Sequence, residues 1–151
     1  MCQLCDDSGW GRRIHNRCPR PLSVGAPGRS LTDKFLYGLM DRKGNMVGVL
    51  EGMRHYPEEA TWWIGLLLLS PQVRGSGLGR KVVEGFSEYV RSEHGTSIML
   101  GVVEENRATF LFWQRLGFKL VRRSEPRPFG KKVQTVTVMQ KDISPIKNKG
   151  D

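Results

Sequence analysis

Apolar and polar residues follow two different periods along this chain, and each change of period marks a predicted element. The first blocks are apolar at alternate positions or throughout, and turns rich in Gly, Asp, Asn and Pro separate them. These blocks predict three successive strands, at Phe35–Met40, at Met46–Leu50 with a continuation to Tyr56, and at Ala60–Leu69. The third block is apolar on both faces, which is typical of a strand at the centre of a sheet.

A helical period follows the third strand. Apolar residues at three- and four-residue spacing from Leu78 to Val90 predict an amphipathic helix that ends near Gly95. The remaining pattern predicts a short helix between Asn106 and Gly117 and three more strands, Ser97–Val103, Phe118–Val121 and Val133–Met139. Because a helix connects them, the strands at 60–69 and 97–103 are expected to be parallel. The fold class is therefore α/β, with a mixed sheet flanked by helices.

The two ends of the chain lack both periods. Residues 1–30 are rich in Arg, Gly, Pro and Cys, so we expect an irregular N-terminal segment. Residues 142–151 are polar, and we expect a frayed C-terminal tail. The 151 residues are thus interpreted as one domain, at 31–141, between an irregular segment and a tail.

A glycine-rich turn connects the third strand to the first helix. Gly75, Gly77 and Gly79 lie between Ser70-Pro71 and the helical period. Glycine lets a backbone approach a ligand closely, and a helix N-terminus offers unpaired N–H groups and the positive end of a dipole. The turn is therefore suited to a phosphate group. Its GxGxG spacing fits neither the Walker pattern nor the dinucleotide fingerprint GxGxxG.

Two strings resemble the signatures of a known family. Arg74-Gly-Ser-Gly-Leu-Gly79 is similar to the (Arg/Gln)-x-x-Gly-x-(Gly/Ala) motif of the GNAT superfamily of acyl-CoA-dependent N-acetyltransferases. The string from Asn106 to Phe118 is similar to the second GNAT signature, Asn-x-x-Ala-x-x-Phe-Tyr-x-x-x-Gly-Phe. The resemblance is to bacterial single-domain members and covers residues 26–141. It implies a GNAT fold whose mixed sheet is mostly antiparallel, with N-terminal strand and helices that are truncated or altered here.

The resemblance also implies an activity, which is transfer of an acetyl group from acetyl-CoA, as cosubstrate, to a primary amine by direct attack. The glycine turn would hold the pyrophosphate, and the pantetheine arm would lie between the strands near Leu67–Leu69 and near Val102. Leu69 N–H is a candidate donor to the oxyanion. The expected cofactor-binding residues are Leu67, Leu69, Arg74, Gly75, Ser76, Gly77, Leu78, Gly79, Arg80, Asn106 and Trp113.

Proton transfer is the less determined part of this expectation. The family pattern places a tyrosine after Phe112 as the acid for the departing thiolate, but this chain has Trp113 there. An indole N–H can hydrogen-bond to sulfur but cannot supply a proton at neutral pH, and a core role for this tryptophan is the alternative. For the base, Glu51 and His55 are the first candidates, with Glu58 and Glu59 beside them.

Charge and composition narrow the partners. A net charge of +9 suits an anionic ligand such as coenzyme A and also suits nucleic acid, but the basic residues are scattered, which makes nucleic acid the less favoured partner. We expect an amine-bearing acceptor, either a small molecule or a protein, and we leave a homodimer open. No membrane-length apolar run or signal-peptide pattern is present, so we expect a cytoplasmic protein with no membrane contact.

All cysteines lie near the N-terminus. Cys2, Cys5, His15 and Cys18 form a C-x2-C-x9-H-x2-C pattern whose middle gap is uncommon in zinc sites, so we expect no metal. Two rival interpretations remain beside the enzyme. One is an acyl-CoA-binding module without turnover, suggested by Trp113 and the altered N-terminus. The other is a basic zinc- or nucleic-acid-binding interaction protein, suggested by the charge and the Cys/His pattern.

Overall fold

The computed structural model of the chain describes residues 31–145, which form a six-stranded sheet, two α-helices and a separate two-stranded hairpin. In chain order the elements are β1 (Lys34–Met40), β2 (Met46–Met53), β3 (Thr61–Leu69), α1 (Leu78–Ser92), β4 (Ser97–Val103), α2 (Arg107–Arg115), β5 (Lys119–Arg123), β6 (Arg127–Phe129), β7 (Lys132–Gln134) and β8 (Val136–Asp142). Short 3-10 helices occupy Leu31–Asp33 and Pro71–Val73.

The strand order in the large sheet is β1-β2-β3-β4-β8-β5. Each neighbouring pair is antiparallel except β3 and β4, which are parallel because α1 crosses between them. The mixed, mostly antiparallel α/β sheet predicted from the sequence is therefore confirmed. β6 and β7 pair only with each other, in the connection between β5 and β8.

One face of the sheet, called here the helix face, packs against both helices. From α1, Val83, Phe86 and Val90 are at most 1% exposed, and they recur at the spacing that places them on one side of the helix. They join Trp62, Ile64, Leu100, Met139, Trp113 and Phe118 in a single core. Each large apolar side chain buried there stabilises the fold by about 1.5–3 kcal/mol. This packing fixes the start of α1 against the end of β3.

The structure corrects the sequence-based boundaries near the C-terminus. Val133 was expected in the last strand, but it lies in β7 and is 69% exposed, because the β6–β7 hairpin precedes β8. The packed domain also extends beyond residue 141. Ile143 is 2% exposed, its carbonyl accepts a hydrogen bond from Nε of Arg91 at 2.8 Å, and its N–H donates to the Thr96 carbonyl at 2.9 Å.

Several expectations lie outside the described residues. They concern the irregular segment at 1–30, the Cys2, Cys5, His15 and Cys18 pattern, and the last residues of the tail. Within residues 31–145, no three or more His, Cys, Asp and Glu side chains are grouped to hold a metal ion. Neither helix in that same range is long and apolar enough to cross a membrane.

Candidate active site

A cleft opens where β3 and β4 separate. The two strands pair only from Thr61 and Ser97 to Ile64 and Leu100, whereas β3 stays paired with β2 as far as Leu69. Gly65 is the extra residue of a bulge, since Gly52 pairs with Ile64 and Glu51 pairs with Leu66. A bulge bends and twists the strand that carries it. The cleft therefore lies between residues 65–69 of β3 and residues 101–103 of β4.

Backbone groups of β3 face this cleft without a strand partner. Ser70 N–H donates to the Val47 carbonyl at 2.8 Å, which directs the backbone of Ser70 toward β2. Successive residues of a strand point their backbone groups to opposite sides, so those of Leu68 also face β2 and those of Leu67 and Leu69 face the cleft. The sequence left open which leucine amides could act there. The structure assigns both Leu67 and Leu69 to the cleft.

The glycine turn lies at the end of β3 and starts α1. Gly75 and Gly77 have φ of 74° and 83°, a left-handed conformation that glycine adopts without strain. Gly77 is the N-cap of α1, and no side chain in residues 31–145 accepts a hydrogen bond from the first turn. The N–H groups there are unpaired at the positive end of the helix dipole, which is the arrangement expected for an anion site.

The polar side chains of the motif, those of Arg74, Ser76 and Arg80, form hydrogen bonds or ion pairs within the protein. Nε of Arg74 donates to the Leu69 carbonyl at 2.9 Å, so this side chain ties the turn to the end of β3. Nε of Arg80 lies 2.9 Å from Oε1 of Glu84 in an exposed ion pair along α1. The hydroxyl of Ser76 donates to the Val73 carbonyl within the turn. These side chains are therefore partnered within the protein.

Leu78 and Gly79 are part of the packing beneath the turn. Leu78 is 8% exposed, so only its backbone is open to a ligand. A Cβ atom at Gly79 would lie 3.1 Å from Cζ of Phe112 and 3.4 Å from Cδ1 of Leu69. The absence of a side chain at Gly79 thus allows α1 to approach α2 and β3 closely. Close helix packing, in addition to any contact with a ligand, accounts for this glycine.

Glu51 is the candidate base that the structure brings to the cleft. Its carboxylate Oε1 lies 4.0 Å from the position that a Cβ atom of Gly65 would occupy, beside the bulge where the cleft begins. Oε1 also lies 3.8 Å from Nζ of Lys34, and the two side chains are 32% and 27% exposed. The carboxylate is therefore half-buried, paired with one cation and on the sheet face opposite the helices.

His55, the other first candidate for the base, lies in the connection between β2 and β3, and a role for it as the base stays a prediction. Its Nδ1 lies 2.6 Å from the Glu59 carbonyl oxygen, and the next residue, Tyr56, donates its N–H to the Thr61 carbonyl at 2.8 Å. The imidazole is thus at the start of β3, and six strand residues, about 20 Å, separate Thr61 from Leu67. Glu58 and Glu59 belong to the same connection between β2 and β3.

The second signature forms α2, beyond the end of β4. The Asn106 side chain accepts a hydrogen bond from Thr109 N–H at 3.2 Å, so its predicted role as a helix cap is confirmed. Trp113 is 6% exposed and packs edge to face against Phe112 and Phe118, at centroid distances of 5.0 and 5.1 Å. The core role of Trp113 is therefore shown, and its contact with sulfur stays a prediction.

Leu66 and Leu68 are site residues that the sequence interpretation missed. They are 42% and 51% exposed on the sheet face opposite the helices, although their strand was expected to be buried on both faces. Leu66 and Leu68 pair with Glu51 and Val49 on this face, which the two helices do not cover. Gly65, in the middle of an apolar run, was the signal in the sequence, since a glycine inside a strand often marks a bulge.

The chain was compared with known families and structures. The model of the Acetyltransferase (GNAT) family matches residues 12–118. No curated protein matches the chain. Among solved structures, the spermidine/spermine N-acetyltransferase SpeG from Vibrio cholerae, in complex with manganese ions, is 18% identical with a TM-score of 0.65. The match covers 74% of this chain and 66% of that one.

Two further solved structures give the same result. A GNAT-family acetyltransferase from Desulfovibrio desulfuricans is 16% identical with a TM-score of 0.65, over 75% of this chain and 70% of that one. Nourseothricin acetyltransferase is 17% identical with a TM-score of 0.64, over 74% and 66%. At these identities the structures establish the fold, and the family model covers well over half of the sequence. The chain belongs to the GNAT acetyltransferase family.

Proposed function

We propose that this protein transfers the acetyl group of acetyl-CoA to a primary amine. The observation that carries the proposal is the junction of the β3–β4 cleft with the Gly75–Gly77 turn, where unpaired N–H groups of two kinds converge. Those of the turn suit a pyrophosphate, and those of Leu67 and Leu69 suit the oxygen of a thioester carbonyl. The named substrates of the similar structures, spermidine and nourseothricin, make amines the first acceptor class to test.

Each part of the site has a role in this proposal. The turn and the start of α1 hold the pyrophosphate through backbone N–H groups, and the cleft holds the arm that carries the acetyl group. The amide of Leu67 or Leu69 donates to the oxyanion that forms when the amine attacks the thioester carbonyl. Glu51 accepts a proton from the amine, directly or through a water molecule. The C–N bond forms as the carbonyl becomes the oxyanion; when the carbonyl re-forms, the C–S bond breaks and the departing thiolate takes up a proton.

The departing thiolate obtains that proton without a tyrosine after Phe112. Trp113 is held in the core and has no ionisable proton at neutral pH. The attacking nitrogen becomes strongly acidic once it is bonded to the acetyl carbon, so it and bulk water are the proton sources that the site allows. A cytoplasmic location also stays a prediction.

The test begins with ligand-dependent stability. Thermal unfolding with acetyl-CoA, free coenzyme A and ATP should show stabilisation by both coenzyme A forms and none by ATP. Release of coenzyme A thiol should then depend on added primary amines, with spermidine and nourseothricin in the panel. Coenzyme A binding without thiol release on any amine would favour the acyl-CoA-binding module instead. A folded protein that binds neither coenzyme A form would contradict both functions.

A further inference from the structure

The sheet face opposite the helices, called here the second face, carries cations on one side of the cleft. Partners across a sheet share a face, and the register aligns Gly101 of β4 with Val138 of β8 and Val138 with Arg122 of β5. Gly101 is the first β4 residue beyond the paired part of β3 and β4. Arg122 therefore lies two strands from the wall of the cleft, a Cα separation of about 10 Å.

A second cation occupies the neighbouring row. Met99 pairs with Gln140 and Gln140 pairs with Lys119, which places Lys119 beside Arg122 on the second face. Arg122 and Lys119 are both exposed, and within residues 31–145 neither forms an ion pair. The β6–β7 hairpin that follows adds three exposed cations, Arg127, Lys131 and Lys132. The exposed charge of β5 and of the hairpin is therefore mostly positive, with Glu125 as the carboxylate between them.

Apolar groups separate these cations from the cleft. A Cβ atom at Gly101 would lie 2.8 Å from Cγ1 of Val136 and 3.6 Å from Cζ2 of Trp63, so both side chains lie beside that exposed glycine. Leu66, which is 42% exposed, lies on the same face of the opposite wall. The second face thus presents Glu51, paired with Lys34, near the start of the cleft, then apolar side chains that include the buried Val138, then cations at the edge of the sheet.

We propose that the acceptor is an amine that also carries an anionic group, a carboxylate or a phosphate, and that Arg122 binds this group. The inference rests on the proposed acetyl transfer and adds the substrate class. An acceptor with its amine in the cleft, an apolar middle and an anion toward Arg122 matches the second face in charge at both ends. A second positive charge at the far end, as in a polyamine, meets repulsion from Arg122 and Lys119.

Arg123 provides the matched control for Arg122. It is the next residue of β5 and also an arginine, but it pairs with Thr137, which is 3% exposed, and so lies on the helix face. Its Nε is 3.6 Å from Oε1 of Glu104. Arg122→Gln and Arg123→Gln therefore remove the same charge from the same strand, and only the first changes the second face.

The acceptors for the test are ω-amino acids, ω-amino alcohols and diamines of matched length, with about four to eight carbon atoms to span the separation of about 10 Å. We expect the wild type to acetylate the amino acids with the highest kcat/KM at low ionic strength. Arg122→Gln should raise KM for the amino acids about tenfold, with kcat nearly unchanged, and added salt should reduce the wild-type preference. Arg123→Gln should match the wild type.

Equal turnover of the three series, a preference for diamines, or equal effects of the two variants would overturn the inference and leave acetyl transfer intact. If coenzyme A binds but none of the amines is acetylated, the N-acetylated products are titrated calorimetrically into the coenzyme A-loaded protein. Binding of the carboxylate products that Arg122→Gln weakens supports the inference, and any other result overturns it. Failure to bind coenzyme A, in contrast, contradicts the proposed function itself.

Discussion

Replacement of Gly77 by glutamate tests the role of the glycine turn directly. Gly77 caps α1 with φ of 83°, and the space where its Cβ atom would lie has no neighbour within 4 Å beyond its own chain neighbours. A side chain there meets no packed group and stands at the N-cap, next to the unpaired N–H groups of the first helical turn. A carboxylate at this position should therefore exclude the phosphates of coenzyme A while the fold is kept.

Gly77→Glu has two effects that must be separated, a loss of stability from backbone strain and a loss of ligand affinity from charge repulsion. A non-glycine residue in the left-handed conformation costs about 1–2 kcal/mol of stability. Repulsion between the new carboxylate and a phosphate about 4–6 Å away amounts to about 3–4 kcal/mol at an effective dielectric constant of about 20. The second effect alone weakens coenzyme A binding by about 100-fold or more.

Gly44 supplies the control for backbone strain. It lies in the β1–β2 turn, outside the glycine turn and α1, with φ of 86° and open space around its Cβ position. Gly44→Glu therefore has the same conformational cost as Gly77→Glu, but its charge is not at the N-cap of α1. Gly77→Ala completes the set, since it keeps the strain at Gly77 and omits the charge.

The assay is thermal unfolding with and without acetyl-CoA. At about 100 times its Kd, the ligand stabilises the wild type by about 2.7 kcal/mol, which for a chain of this size is an increase in Tm of about 5–11 °C. We expect Gly44→Glu to show the full increase, Gly77→Ala most of it and Gly77→Glu almost none. A folded Gly77→Glu protein with the full increase, or an equal loss in Gly44→Glu, would refute this role of the turn.

The other predictions concern single side chains. Glu51→Gln should lower kcat by about 100-fold or more while the Tm increase with acetyl-CoA is kept, and an unchanged kcat would remove Glu51 as the base. Asn106→Ala should cost about 1 kcal/mol in urea unfolding, because the cap of α2 is lost. Trp113→Ala should lower the free energy of unfolding by about 3–5 kcal/mol. Trp113→Phe should keep measurable release of coenzyme A thiol. Complete loss of thiol release in a folded Trp113→Phe protein would instead indicate a direct catalytic role for Trp113. The hydrogen bond from the backbone N–H of Asn45 lowers the pKa of Asp41 below 3.8. Asp41→Ala should therefore be less stable than the wild type near pH 6, and the difference in stability should shrink as the pH falls below about 4. A difference in stability that does not depend on pH would contradict this prediction.

Periodicity predicted the elements whose burial repeats over many residues. The bounds of α1 and β4 followed from the apolar positions of Leu78–Val90 and from the run at Ser97–Val103, because each buries a regular set of side chains in one core. The sequence did not predict the β6–β7 hairpin, because the hairpin buries no regular set of side chains. All but one of its residues are exposed, so nothing in its pattern of apolar residues distinguishes it from a loop.

The cleft could not be predicted from local pattern, because it depends on where two distant strands stop pairing. Residues 60–69 form one apolar run in the sequence, yet the first half pairs with β4 and the second half does not. Local pattern also contains no distance between the two candidate bases, since His55 follows Glu51 by only four residues in the chain. An extended chain separates such residues along the strand, and only the register shows that Glu51 pairs beside the bulge while His55 lies past the end of β2.

The second signature shows how far a motif can assign chemistry. It aligns Trp113 with the tyrosine of the family pattern, but the direction of a side chain on a short helix depends on the core beneath it. Here Trp113 packs between Phe112 and Phe118 and is 6% exposed, while Phe112 reaches back to the helix start at Gly79. Phe112 thus packs against the start of α1, and Trp113 is held within the core. If this chain transfers acetyl groups, the proton on the departing thiol has to come from the amine or from water, and the pH dependence of the rate should then follow the acceptor amine and the base rather than a protein acid.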